Sequence, residues 1–258
     1  MGLADLHIHT IYSLDGTSTV RAVLKRAAEV GLDVVAITDH DEIRASLEAL
    51  SLAPAYGLQV VPGSEVSTAE GHLLALFVYR TPPAGLSLGD TVRWVRDEGG
   101  LCIIPHPGQS RYSVRFGTIQ RVLQEPDVAP FIVGMEVFNS SANSQRQNEI
   151  AHATLQRMRW PLAPISSSDA HLLSLIGSAA TYFPGRTAEE LRQALLARST
   201  RAEVMDFAPR PLFFLQWGAH LALRYAGWVS VNRAPEVPAK KAFLGLKGGF
   251  RLPVASNV

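Results

Sequence analysis

The run DVVAITDHD, Asp33 to Asp41, is a short β-branched stretch whose polar residues collect at its C-terminal end. Helical periodicity flanks it on both sides. VRAVLKRAAEVG precedes it, with Ser18 and Thr19 as candidate caps and Gly31 as a stop, and EIRASLEALSLAPAYG follows. A strand between two amphipathic helices predicts an α/β fold with a mainly parallel sheet, and the rest of the chain repeats the scheme. DLHIHT opens the chain as a strand, and LQVVPGSEVST and GHLLALFVYR are two strands joined by a short turn. LGDTVRWVRDEGG is a helix and LCIIPHPG a strand; a helix around Phe116 to Gln124 leads to the strand IVGMEVFNS. A helix from about Asn143 to Arg159, the strand PLAPISSSDAH and a helix from Ala188 to Ala197 complete the run. Seven strands over about 200 residues suit a distorted, TIM-like (β/α)7 barrel better than an open sheet, and no G-x-G-x-x-G follows the first strand. The expected division is a domain over residues 1–204 and a C-terminal helical extension with a basic tail over 205–258.

Composition narrows the class. A chain of 258 residues with 47% hydrophobic content can bury one large core, and a net charge of +1 gives no global pull toward nucleic acid or an anionic membrane. One cysteine, Cys102, excludes an intrachain disulfide and reads as a small buried core residue. The segment PLFFLQWGAHLALRYAGWVSVN is broken by Gln216, His220 and Arg224, short of the roughly 18 uninterrupted apolar residues of a membrane span. With a motif at the very start in place of a leader, the expected location is cytoplasmic.

In a parallel barrel the C-terminal strand ends share one rim. Reading them off gives His7 and His9, then Asp39, His40 and Asp41, Glu65, His72, His106, Glu136, and Asp169 with His171. Six of the eight histidines fall in this set; only His152 and His220 lie elsewhere. Imidazole and carboxylate together suit Zn, Mn or Fe, and such a supply exceeds what one tetrahedral ion uses, so two or three divalent ions sharing carboxylates is the expectation.

DLHIHT, TDHD, the PHP segment and SDAH, in that order, resemble the four motifs of the PHP (polymerase and histidinol phosphatase) superfamily, over roughly the first three quarters of the chain. The short spacing of HTIYSLDG resembles the family's small stand-alone phosphoesterases. The resemblance implies a seven-stranded βα barrel around a trinuclear centre. It implies that His7, His9 and Asp169 hold a first ion, that Glu65 bridges it to a second held by His72 and His106, and that Asp15, His40 and His171 hold a third. Some relatives carry histidine where this chain has Asp15.

The expected reaction is hydrolysis of a phosphoester of a nucleotide, a small metabolite or a nucleic-acid end, by a hydroxide held between ions. Arg111, with Arg115 and Arg186 behind it, is the expected phosphate clamp, the competing reading being surface charge. Asp39 and Asp41 flank a ligand and are candidate proton-transfer groups, although Asp39 also reads as a partner of a ligand and Asp41 as a helix cap. Glu136 reads as a partner of Asn139, outside the ligand set. Two other readings are a metal-dependent C–N hydrolase of the amidohydrolase type and a metal-stabilised binding module without turnover. Phe214, Trp217, Leu221, Tyr225 and Trp228 recur at helical spacing, and Lys240, Lys241, Lys247 and Arg251 follow. Contact with a membrane surface or nucleic acid competes there with a closing helix and a solvated tail, the reading taken.

Overall fold

Strand β1 (Gly2–Ile8) pairs in parallel with β2 (Val34–Ile37), and helix α1 (Val20–Glu29) crosses between them. The structure is a computed structural model and describes residues 1–140, 145–204 and 210–226. Thr19 is the residue that caps α1, accepting from the Ala22 amide, and Val20, Val23, Leu24 and Ala27 form the buried stripe. Helix α2 (Arg44–Leu52) starts without a side-chain cap at Ile43; Glu42 Oε1 instead accepts from the Ile43 and Arg44 amides. Helices α3 (Leu88–Asp97), α4 (Phe116–Val122), α5 (Gln145–Arg157) and α6 (Ala188–Ala197) fall where periodicity predicts them.

The strands depart from expectation. LQVVPGSEVST is two strands, β3 (Gln59–Val60) and β4 (Gly63–Thr68), because Pro62 has no amide to give a ladder. Strand β4 then turns into β5 (Gly71–Leu76) as an antiparallel hairpin; β6 (Leu101–Ile104) runs antiparallel to β5, and β7 (Ile132–Asn139) and β8 (Ala163–Ser167) follow in parallel. AATYF and RAEV, too short and mixed to stand out as strands, form β9 (Ala179–Phe183) and β10 (Arg201–Val204), with β9 antiparallel to β1. The described residues thus hold ten strands in two mixed sheets, ordered β10-β9-β1-β2-β3 and β4-β5-β6-β7-β8. The seven-stranded closed barrel is not formed.

Side chains from both sheets, among them Leu6, Val34, Leu74, Ile103, Ile165 and Phe183, share one buried cluster, while α1 and α2 cover one outer face and α3 and α4 another. Each fully buried Leu or Ile contributes about 1.5–3 kcal/mol to this packing. The sheets approach each other at two isolated parallel bridges, Ile8 to Ala170 and His40 to Glu65, and both lie beside candidate ligands.

Helix α7 (Arg210–Tyr225) follows β10. The side chains of Phe214 and Tyr225, and Trp228 with the basic tail, lie outside the described residues, as does the expected boundary at 204/205 on its C-terminal side. No helix among the described residues is long and apolar enough to cross a membrane.

Candidate metal centre

Nine side chains from six segments converge at one end of the sheets. His7 is the penultimate residue of β1 and His9 follows the strand. The ladder shifts register between Asp5 and Ile8, so that Leu6 and Ile8, both buried, join different clusters. His40 follows β2, His106 follows β6, and Asp169 and His171 follow β8. These obey the expected rim. His72 does not: it stands at the start of β5, and the antiparallel course of that strand brings its beginning, rather than its end, to the site. Pairing of His72 with Ser67 places it diagonally across the ladder from Glu65, on the same face. Two glycines make room. A Cβ on Gly16 would lie 1.9 Å from the Thr10 carbonyl oxygen, so the loop carrying Asp15 can close only over glycine. Gly71, at φ +133°, seats the hairpin turn against the Ser113–Val114 backbone. Asp41, His106 and Asp169 also have positive φ, at 51°, 28° and 50°. Such conformations cost non-glycine residues about 1–3 kcal/mol each and gather at functional sites.

The imidazoles are oriented from behind. His7 Nδ1 is 3.0 Å from Glu136 Oε1, an acceptor, and His171 Nδ1 is 2.9 Å from the Asp169 carbonyl oxygen, which can only accept. His9 Nδ1 lies 3.1 Å from Ser13 Oγ, whose own hydrogen goes to Asp39 Oδ1 at 2.6 Å. In their neutral form all three rings therefore carry the hydrogen on Nδ1 and present the Nε2 lone pair inward, the tautomer of a metal-binding histidine.

Those lone pairs meet carboxylate oxygens. His7 Nε2 and His9 Nε2 are 3.1 Å apart; each is 3.2 Å from Glu65 Oε2, and they are 3.4 and 3.3 Å from Asp169 Oδ1. Acceptors this close and buried repel one another unless a cation or protons lie between them. Ligands at about 2.0 Å from a tetrahedral centre stand about 3.3 Å from each other, which is the observed spacing. Glu65 Oε2 and Asp15 Oδ1 are buried without a hydrogen-bond partner. The other Glu65 oxygen, Oε1, is 2.9 Å from His72 Nδ1 and 3.0 Å from His106 Nε2. A third cluster joins His9, Asp15, His40 and His171, with Asp15 Oδ2 3.3 Å from His40 Nε2 and 3.1 Å from His171 Nε2. The residues fit a polynuclear centre in which Glu65 faces two positions at once.

The electrostatics say the same. Burial opposes a charge on His9, but the Asp169 and Glu65 carboxylates beside it win and push its pKa up to about 10. His7 is likewise raised against burial by Asp169, Glu65 and Glu136. Against burial, the surrounding imidazoles hold Glu65, Asp169 and Asp15 well below the usual carboxylate range. This is a site built for positive charge.

Other expected roles need correction. Asp39 receives four hydrogen bonds, from the amide and hydroxyl of both Thr10 and Ser13, at 2.6–3.0 Å. Its carboxylate is buried and accepts on both oxygens, which holds the His9–Ser13 loop against it. Asp41 does not cap α2; its Oδ1 accepts from the Ser67 amide and ties the β2 loop to β4. Arg186 is at the wrong end: it follows β9, whose Phe183 pairs with Gly2, and its Nε is 3.6 Å from Asp33. Five residues of strand separate Gly2 from His7, about 16 Å. Arg111 and Arg115 are exposed and line a cavity of about 480 Å³ that shares His72, Tyr112 and Ser113 with the metal-site cavity of about 170 Å³. Arg111 lies over the Tyr112 ring at 4.6 Å, and Tyr112 stacks on His72 at 5.5 Å and 11°. Cys102 is buried, as expected.

Glu136 does bond Asn139, at 2.8 Å, and also accepts from the His106 amide at 2.7 Å, besides His7. The supporting residues Ser13, Ser113 and Asn139 carry no sequence signal of their own. Ser113, for example, reaches His106 Nδ1 at 3.1 Å only because a turn folds back after Pro107.

Comparison with known proteins agrees with this geometry. The PHP domain family model matches residues 5–88 and the PHP-associated model residues 146–200. The chain is 37% identical over 158 residues to an uncharacterised protein of Methanocaldococcus jannaschii, covering 57% of this chain and 88% of that protein. Over 88 residues it is 38% identical to the phosphoribosyl 1,2-cyclic phosphate 1,2-diphosphodiesterase of Eggerthella lenta, covering 32% of this chain and 33% of that enzyme. Among solved structures, a two-domain protein of Bacteroides vulgatus containing a predicted PHP-like metal-dependent phosphoesterase aligns with a TM-score of 0.64 at 21% identity. That alignment covers 79% of this chain and 64% of the other, a likeness of fold.

Proposed function

The chain belongs to the PHP family, and from that membership we propose that it is a metal-dependent phosphoesterase, hydrolysing phosphate esters of nucleotides, small metabolites or nucleic-acid ends. The observation that carries the reading is Glu65, whose two oxygens face separate sets of imidazoles and so suit a carboxylate shared by neighbouring ions. His7, His9 and Asp169 would hold one ion, Glu65 with His72 and His106 a second, and Asp15, His40 and His171 a third, drawn from Mn, Fe or Zn. Such ions, when bound, supply a water of lowered pKa and neutralise charge on phosphoryl oxygens.

The chain's own residues do the rest. Glu136, Ser13 and the Asp169 carbonyl keep His7, His9 and His171 in one tautomer and one orientation. Asp39 fixes the loop bearing Thr10 and Ser13. The metal-site cavity, walled by His40, His72, His106, Tyr112 and Asp169, admits a phosphoryl group, and the adjoining space takes the remainder of the substrate, with Arg111 and Arg115 binding its anionic groups.

The test is metal analysis of the purified chain, with a phosphate-release assay over mononucleotides, nucleotide bisphosphates, sugar phosphates and short oligonucleotides in manganese. Release that requires metal and is lost in His40→Ala supports the reading. Bound ions without release from any ester would turn it toward C–N bond hydrolysis or binding without turnover, and no ion bound after reconstitution would overturn it.

A further inference from the structure

Helix α7 lies beyond the segments that the family models match, yet it reaches the metal centre. The Trp217 indole N–H donates to the backbone carbonyl of Asp15 at 3.1 Å, across 202 positions of sequence. The same ring stands edge-on to His171, centroids 6.0 Å apart at 76°. Asp15 and His171 are two of the four side chains in the cluster His9, Asp15, His40 and His171. The loop that carries Asp15 is tied down elsewhere by Thr17, whose hydroxyl donates to the His171 carbonyl at 2.6 Å, and by Ser13 on Asp39. Between those ties the outer side of the loop is open, as the 77% exposure of Leu14 shows. Trp217 closes that gap at Asp15 itself.

We propose that Trp217 is a positioning residue for this one ion position, holding Asp15 against His40 and His171, so that α7 completes the centre from outside the two sheets. The proposal rests on the metal-dependent reading above, but on its ion binding and not on its chemistry. Without the Trp217 bond the Asp15 backbone has more freedom to lose when the ion binds, and that entropy lowers affinity at the Asp15 position alone. The other two positions are built from strand ends and from Glu65, not from the Asp15 loop, and keep their affinity.

The experiment is calorimetric titration of the metal-free full-length chain with manganese, for wild type, Trp217→Phe and Trp217→Ala, with thermal melting of each metal-free protein. Phe keeps a ring and removes the N–H donor. Three ions are expected in the wild type. In Trp217→Phe one position weakens by roughly three- to tenfold, the equivalent of one lost hydrogen bond, and the other two hold. In Trp217→Ala the same position weakens further. An isotherm unchanged in both variants, an equal weakening of all positions, or only two ions in the wild type would each overturn the proposal. Three ions with the expected selective loss but no phosphate release would sink the phosphoesterase reading and leave this one standing.

Discussion

Replacing Glu136 with glutamine preserves shape and exchanges one acceptor for two donors, which makes it a sharp probe of how the centre is held. Glu136 Oε1 accepts from His7 Nδ1 at 3.0 Å, while Oε2 accepts from the His106 amide at 2.7 Å and from Asn139 Nδ2 at 2.8 Å. A glutamine amide turned toward His106 would oppose two donors, one of them a backbone N–H that cannot change its role. Each buried donor left without an acceptor costs about 1–3 kcal/mol, so the amide turns toward His7 instead. His7 Nδ1 must then accept, so the metal-free variant keeps a hydrogen only on Nε2, where it points at Glu65 and Asp169, and gives up the second proton that Glu136 favours in the wild type. Metal binding has to reverse that tautomer against the amide. The cost is again about 1–3 kcal/mol, a loss of roughly 5- to 150-fold in affinity, in line with the 10- to 100-fold typical of groups behind a metal-binding histidine. Manganese affinity of the metal-free variant, measured by competition with a chelator, reads this loss, and nitrogen-15 NMR of the imidazoles reads the tautomer. The melting temperature of the metal-free variant should move little, since every buried donor in the new arrangement finds an acceptor. Affinity unchanged within twofold, or a His7 that keeps its hydrogen on Nδ1, would refute the reasoning.

Asp39→Asn should retain metal and most phosphate release, because the amide can keep Thr10 and Ser13 bonded, whereas Asp39→Ala should lower stability by about 3 kcal/mol or more in denaturant melts. A fully metallated Asp39→Asn without turnover would identify Asp39 as a proton-transfer group. The double variant Arg111→Ala/Arg115→Ala should raise KM for phosphate esters at least tenfold without changing ion stoichiometry, and Arg186→Ala should leave both untouched; steady-state kinetics with metal analysis separates the outcomes. Burial pushes the Cys102 thiol well above its ordinary range, so it should resist a thiol reagent at pH 8 in the native chain and react stoichiometrically after unfolding. Rapid native labelling would contradict the packing described.

What the sequence announces is most of the candidate ligand set, the loop residue Asp15 excepted, and there is a physical reason. Metal ligands are restricted to a few residue types, and at strand ends those types stand out against apolar runs, so His7, His9, His40, His106, Asp169 and His171 could be read one by one. Helices are equally legible because caps and a 3.6-residue period are local. The closed barrel failed where pairing partners are distant. Nothing in GHLLAL says that it runs antiparallel, and Pro62 alone marks the break between β3 and β4. The support behind the ligands was the least legible part: Ser13, Ser113 and Asn139 have common side chains and act only through where the chain returns.

That difference bears on how the centre works. The antiparallel hairpin that broke the barrel expectation is what delivers Glu65 and His72 from adjacent strands to one face, a diagonal pair that successive parallel strand ends would not supply. A parallel βα repeat sets its rim residues a strand apart, with room for one ion between neighbouring ends. Turning one strand around adds the His72 imidazole beside Glu65, whose two oxygens then lie within 3.2 Å of imidazoles on both sides. Irregular topology and a shared carboxylate are then one feature. Glu65→Gln should accordingly lower occupancy at more than one position, while His72→Ala should lower it at one. Loss of a single ion in both variants would mean that Glu65 serves only one side.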